Sequence, residues 1–286
     1  MRLSSYFLVI ALLMTGGCGL LPEQVDKTKD WSASQLYSAA KEAMASKNYE
    51  QAIGYFEKLE ARYPFGRYAQ QALLETAYAY YKYEEADLAI ATADRFIKIH
   101  PRHPNVDYAW YIKGLTNYTR GRSLVDRLLP QDVSERDTRI MREAYDAFAY
   151  LVKHYPDSKY ASDSAQRMIH LRNNMAQYEI HVADYYMRRG AYVAAANRGK
   201  YVIENYQRTP AVPEALVIMV RAYRKLDVND LAEDALRVLR LNYPDHPDLA
   251  ELNKTLIRSS TPEPVDDLRE ALINSYCVIP AQAGIQ

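Results

Sequence analysis

From Ala33 to Pro244 one pattern of small, aromatic and aliphatic residues returns five times, and a proline closes most of the returns. In the first copy Leu36, Ala40 and Ala43 share one helical face, Ser46 to Tyr49 makes a turn, and Ala52, Phe56 and Leu59 share a second face before Pro64. Spacings of i, i+4 and i+7 are those of an amphipathic helix, and proline cannot continue one. The second copy has Leu73, Ala77 and Tyr80, then Ala89, Ala93 and Phe96, and closes at Pro101. Its turn, Glu84 to Asp87, ends in an acid suited to capping the next helix. The third opens with Trp110, Gly114 and Asn117, is interrupted by a charge-rich stretch at 121–138, and resumes with Ala144, Phe148, Leu151 and Pro156. The fourth follows a long leading helix, about Tyr160 to Arg188, with Ala183 and Tyr186, then Ala195, Gly199 and Val202; Gln207 stands where a proline would close it. The fifth uses Leu216, Val220 and Tyr223, then Ala232, Leu236 and Leu239.

A helix–turn–helix unit recurring at about 34 residues has the period of a tetratricopeptide repeat (TPR). Alanine or glycine where two helices cross lets the backbones approach, and each unit buries its apolar faces only against its neighbours. The expected fold is all-α: a superhelical stack of five TPR helix–turn–helix repeats. The expected organisation is a leader at 1–17, a polar tether at 18–32, an N-terminal half at 33–157 with its insert at 121–138, a C-terminal half at 158–258, and a disordered polar tail at 259–286. The tail could hold a short helix at Asp266 to Tyr276. Its final residues, VIPAQAGIQ, break with the composition before them and are expected to have no folded role.

The leader reads MRLSSYFLVIALLMTGGC. One basic residue, an apolar run from Tyr6 to Met14 and small residues before Cys18 resemble a bacterial lipoprotein signal, in which the cysteine is lipidated and becomes the first mature residue. The run is too short to span a bilayer, which takes about 20 apolar residues. Thr15 departs from the usual Leu of that signal, and Gly19 in place of Asp resembles sorting to the outer membrane.

Composition narrows the function. Thirty-six basic and thirty-six acidic residues leave no basic excess for a nucleic-acid partner. Two cysteines provide no disulfide framework, and Cys277 lies in the tail without a positioned base. No phosphate loop, nucleophile elbow, HExxH or CxxC is present, so no catalytic or metal-binding constellation is expected. His100, His103 and His246 adjoin the closing prolines, where solvated imidazole is expected; His170 and His181 are too far apart for one metal. Beyond the lipid on Cys18, no cofactor is expected.

Several stretches are more particular than a generic repeat requires: RYPFGRYAQQ, AYAYYK, DRFIKIHPRHPNVDY, KHYPDSKYASDS and YEIHVADYYMRRGAYVAAANR. Together with Cys18 and the interrupted third copy, they resemble the BamD (ComL) family from Cys18 to about Arg258. That family is the lipoprotein subunit of the β-barrel assembly machinery of Gram-negative outer membranes. The resemblance implies a non-catalytic scaffold, held by lipid at the inner leaflet of the outer membrane and facing the periplasm. It implies C-terminal repeats that bind the last POTRA domain of the insertase BamA, docking of the lipoproteins BamC and BamE, and N-terminal repeats that receive C-terminal signals of unfolded outer-membrane proteins. On that analogy Arg67, Tyr68, Tyr83 and Arg95 are peptide-contact candidates, with packing or solvation as the alternative role of each. Arg198 is the candidate for binding the insertase. A competing reading is a TPR lipoprotein coordinating cell-wall synthesis or division, and a third is an enzyme on a TPR scaffold.

Overall fold

The computed structural model describes residues 26–120 and 138–256. The leader with Cys18, the insert, and the tail with Cys277 lie outside them.

Eleven α-helices and no strands occupy the described residues. They are α1 (Ala33–Ala45), α2 (Tyr49–Arg62), α3 (Arg67–Lys82), α4 (Ala86–Ile99), α5 (Val106–Thr119), α6 (Thr138–His154), α7 (Ala161–Arg188), α8 (Tyr192–Asn205), α9 (Ala211–Lys225), α10 (Asn229–Asn242) and α11 (Leu249–Leu256). Consecutive pairs from α1–α2 to α9–α10 are the five tetratricopeptide hairpins, and α11 follows them. None of these helices is long and apolar enough to cross a membrane.

The repeat positions are core. Leu36, Ala40, Ala52, Phe56 and Leu59 are fully buried, as are Ala89, Ala93 and Phe96 of the second copy and Ala232, Leu236 and Leu239 of the fifth, to within 2%. The register differs from the expected period. Leu36 and Leu73, Ala40 and Ala77, Ala52 and Ala89, and Leu59 and Phe96 are equivalent pairs, each 37 positions apart. Ala195 and Ala232, and Val202 and Leu239, keep the same interval. Between the first two copies the surplus is an added turn: α3 ends where α1 predicts but starts three residues earlier, at Arg67.

The four hairpin turns among the described residues share one geometry. Lys47 (φ 60°), Glu84 (φ 67°), Gly190 (φ 72°) and Asp227 (φ 56°) are left-handed. The next amide in each bonds to a carbonyl five residues back: Asn48 to Ala43 at 2.9 Å, Glu85 to Tyr80 at 3.0 Å, Ala191 to Tyr186 at 2.9 Å and Val228 to Tyr223 at 3.0 Å. This is the Schellman ending, which satisfies carbonyls that the helix leaves open. Asp87 is not the cap expected of it. It lies inside the first turn of α4, behind Glu85, and pairs with Arg120 at 2.8 Å. Ser32 caps α1 through a reciprocal capping box with Gln35.

The chain divides into two compact units: residues 26–120 with 146–164, and residues 138–145 with 165–256. In the first, small residues set the helix spacing at Gly114. A Cβ there would meet the Phe148 ring at 2.5 Å. In the second, a Cβ on Gly199 would meet the Ala215 carbonyl at 2.9 Å and the Met219 side chain at 2.7 Å.

Candidate binding surfaces

In the first unit α1, α3 and α5 present a polar and aromatic face. Its members follow helical spacing: Tyr37 and Lys41 on α1, Tyr68, Glu75 and Tyr78 on α3, and Tyr108 on α5. The Tyr37 and Tyr68 rings lie 5.5 Å apart, and Lys41 pairs with Glu75 at 2.9 Å. Tyr78 meets Tyr108 at 6.4 Å, and Tyr108 stacks on Tyr160 at 5.1 Å. Tyr160 also stacks on Tyr111 at 4.5 Å. Burial, followed by the neighbouring Tyr160 phenol, raises the Tyr108 hydroxyl far above its ordinary range, so Tyr108 stays neutral.

Two of the particular stretches of sequence, DRFIKIHPRHPNVDY and KHYPDSKYASDS, meet here. Asp107, from HPNVDY, accepts a hydrogen bond from the Ser158 hydroxyl at 2.6 Å. Tyr111 donates to Asp163 at 2.7 Å, and Lys159 sits over the Tyr160 ring at 5.0 Å. The link between α6 and α7 is thereby clipped onto α5. Nothing in either segment specifies its partner across some fifty residues, so this contact is not legible in the sequence.

The peptide-contact candidates do not converge. Arg67 and Tyr68 lie together in the added first turn of α3, with the guanidinium 5.1 Å from the ring centroid. Arg67 is exposed, whereas the Tyr68 hydroxyl meets Ser34 at 3.3 Å. Its hydrogen bond with Ser34, and then the one with Arg67, lower the Tyr68 pKa. Tyr83 is the C-cap at the opposite end of α3 and is 46% exposed. Arg95 lies on α4 and pairs with Glu60 of α2 at 2.6 Å. Tyr80 also points toward α2 and donates to Glu57 at 2.7 Å; burial, then that bond, pushes its pKa up to about 12. Arg67 is therefore the candidate cation with the freest head.

The second unit holds Arg198 on α8. Its guanidinium donates to Glu179 of α7 at 3.0 Å, and its side chain is 43% exposed against 10% for the glutamate. One carboxylate is thus neutralised below the surface while part of the guanidinium fork stays open to solvent. Beside it, Tyr178, His181, Val182, Tyr185 and Tyr186 of α7 line a shallow depression of about 250 Å³. Glu179 was invisible to sequence reasoning, since it reads as an ordinary helix-surface acid.

A further anchor lies at 26–31, within the stretch expected to be a tether. Asp26 pairs with Lys58 at 3.0 Å and with Arg62, which also donates to the Thr28 carbonyl. Trp31 stacks on Tyr55 at 5.8 Å, and Tyr63 donates to the Trp31 carbonyl at 2.9 Å. Residues 26–31 are a strap on α2 and not free chain.

Among the described residues no group of three His, Cys, Asp or Glu could hold a metal ion. His100 and His103 pack edge-on against Phe96, at 5.4 and 5.2 Å, and burial followed by His100 lowers the His103 pKa. They are wall residues of a linker and not fully solvated.

The family described as YfiO, an outer membrane lipoprotein, matches residues 29–239. The chain is 46% identical over 242 residues to the outer membrane protein assembly factor BamD of Neisseria meningitidis serogroup B, covering 85% of this chain and 91% of that one. It is 40% identical to BamD of Xylella fastidiosa (strain Temecula1), covering 74% and 72% of the two chains, and 37% identical to BamD of Vibrio cholerae, covering 82% and 96%.

Proposed function

We propose, from the premise that the chain belongs to the BamD family of outer membrane protein assembly factors, that it is a lipid-anchored scaffold of that assembly. The observation that carries this reading is the 46% identity over 85% of the chain and 91% of the relative. Cys18 supplies the lipid, and the protein faces the periplasm from the inner leaflet of the outer membrane.

Its finer roles follow from the two units. The α1–α3–α5 face, with tyrosine rings and the exposed Arg67 at its edge, suits an extended peptide with alternating apolar side chains and a terminal carboxylate. Such a peptide is the C-terminal signal of an unfolded outer-membrane protein. Tyr83 extends the surface to the far end of α3, and Arg95 belongs to it only if Glu60 releases it. In the second unit Arg198 offers its open donors to an acid of the insertase's last POTRA domain, and the lipoproteins BamC and BamE complete the assembly. Nothing assigned here requires catalysis.

The test is affinity purification of the full-length lipidated protein from membranes, with bound proteins identified by mass spectrometry. Co-purification of a barrel insertase with other assembly lipoproteins is the expected result. Recovery of peptidoglycan-synthesis or division proteins in their place would favour the cell-wall reading.

A further inference from the structure

Phe65 is 90% exposed, more than any other large hydrophobic residue described; Leu241 follows at 75%. Leaving a phenylalanine ring in water forgoes burial that would otherwise be favourable. The residue is held in a short, fixed link. Pro64 precedes it, Gly66 follows with φ 95°, and both flanks are tied down: Tyr63 to the Trp31 carbonyl at 2.9 Å and Tyr68 to Ser34 at 3.3 Å. The ring is therefore presented at a rigid corner where α1 begins, α2 ends and α3 begins.

The margin of that corner is cationic. Arg67 is exposed two residues away, and Lys27 and Lys29 are exposed on the strap. Arg62 bonds the strap at the Thr28 carbonyl and reaches the Lys29 carbonyl at 3.5 Å. Of the two strap acids, Asp26 is engaged by Lys58 and Arg62, leaving Asp30 as the exposed one. The strap also fixes distance. Eight residue steps separate Cys18 from Asp26, a reach of at most about 28 Å even when fully extended.

We infer that Phe65 and its cationic margin rest on the membrane, with the ring entering the headgroup region of an anionic phospholipid surface. This rests on the lipid anchor proposed for Cys18 and adds a second point of contact. An acyl anchor at a single point does not by itself fix the orientation of the first repeat. An aromatic wedge with lysine and arginine around it fixes that orientation, because the ring gains burial while the cations keep their heads among phosphates. The contact would set which way the α1–α3–α5 face looks relative to the leaflet.

The test uses full-length lipidated protein carrying Cys277→Ser and Phe65→Cys, labelled with an environment-sensitive fluorophore. It is reconstituted in vesicles of phosphatidylethanolamine and phosphatidylglycerol containing a spin-labelled lipid. The label at 65 is expected to be quenched at least about twofold more than the same label at Leu88→Cys, as interfacial insertion requires. Adding Lys29→Glu and Arg67→Glu is expected to reduce that difference. Flotation with the vesicles but equal or absent quenching at the two positions overturns the contact alone. Failure to float overturns the anchor and the contact with it. A label shielded only when other outer-membrane proteins are present, and never quenched by lipid, assigns Phe65 to a protein partner and also overturns the inference.

Discussion

Arg198 donates to the Glu179 carboxylate across 3.0 Å, so the cation proposed to meet a partner's acid already serves an acid of its own chain. Two consequences for mutagenesis follow. Arg198→Glu would set two carboxylates against each other and confound lost binding with lost structure. Arg198→Ala leaves Glu179 buried without its cation, at a cost of about 1–3 kcal/mol. Combining it with Glu179→Gln should recover most of that loss in a denaturation midpoint. If the double variant, refolded to native helical circular dichroism, still captures the insertase at wild-type level, Arg198 is not a contact.

The hairpin turns predict stabilising substitutions. Lys47, Glu84 and Asp227 hold a left-handed conformation that glycine adopts without steric penalty, as Gly190 does in the equivalent turn. Glycine at each of the three should raise stability by about 0.5–1 kcal/mol. The sites lie in different turns and share no partner, so the gains should add. Thermal or urea midpoints of the single and triple variants measure this, and a triple variant no more stable than the wild type would contradict it.

Gly114 predicts a loss with a specific rescue. A methyl group there would lie 2.5 Å from Phe148, so Gly114→Ala must displace the ring, at about 1–3 kcal/mol. Phe148→Leu alone should also destabilise, because Phe148 is fully buried. Together the two changes should cost less than the sum of their separate costs. Strict additivity would mean that helix spacing at this crossing is not set by that contact.

The strap predicts an acid-sensitive signal. The Thr28 hydroxyl, then Lys58, hold the Asp26 carboxyl well below its ordinary value of 3.8. A carboxyl depressed in the folded state contributes stability fully above its unfolded pKa and loses it as the pH falls through the folded one. The strap should therefore stay closed at pH 5 and loosen progressively below about pH 4. Trp31 fluorescence reports this, because its ring leaves Tyr55 when the strap opens. Asp26→Asn should give the loosened signal already at neutral pH.

Much of the fold was legible because its signals are local. Leu36, Ala40 and Ala43 declare one helical face, and Pro64 and Pro101 declare where helices stop. Between the first two copies the interval exceeds 34 because α3 has an added turn, from Arg67 to Ala69, which contains no breaker and resembles the linker before it. Acids favour the cap position, which suggests Asp87, yet the turn at Glu84 brings the chain into α4 early enough that Glu85 is the N-cap and Asp87 falls in the first turn. The site was less legible for a different reason. Arg67 and Tyr68 can be chosen from their types and neighbours, but the Arg95–Glu60 and Arg198–Glu179 pairings are decided by helix packing. The strap hides in the same way: Asp26 looks like a tether residue until Lys58 and Arg62 are placed beside it.

The length of α3 sets a gauge. Tyr68 in its first turn and Tyr83 at its cap are fifteen residues apart, or about 22 Å along the axis. An extended strand advances about 3.4 Å per residue, so a chain lying along α3 must offer about seven residues to touch both ends. A shorter ligand can read only one of the two tyrosines. A set of synthetic peptides of graded length would thus reveal a step in affinity, and the length at which it falls would be a calliper reading of the helix itself.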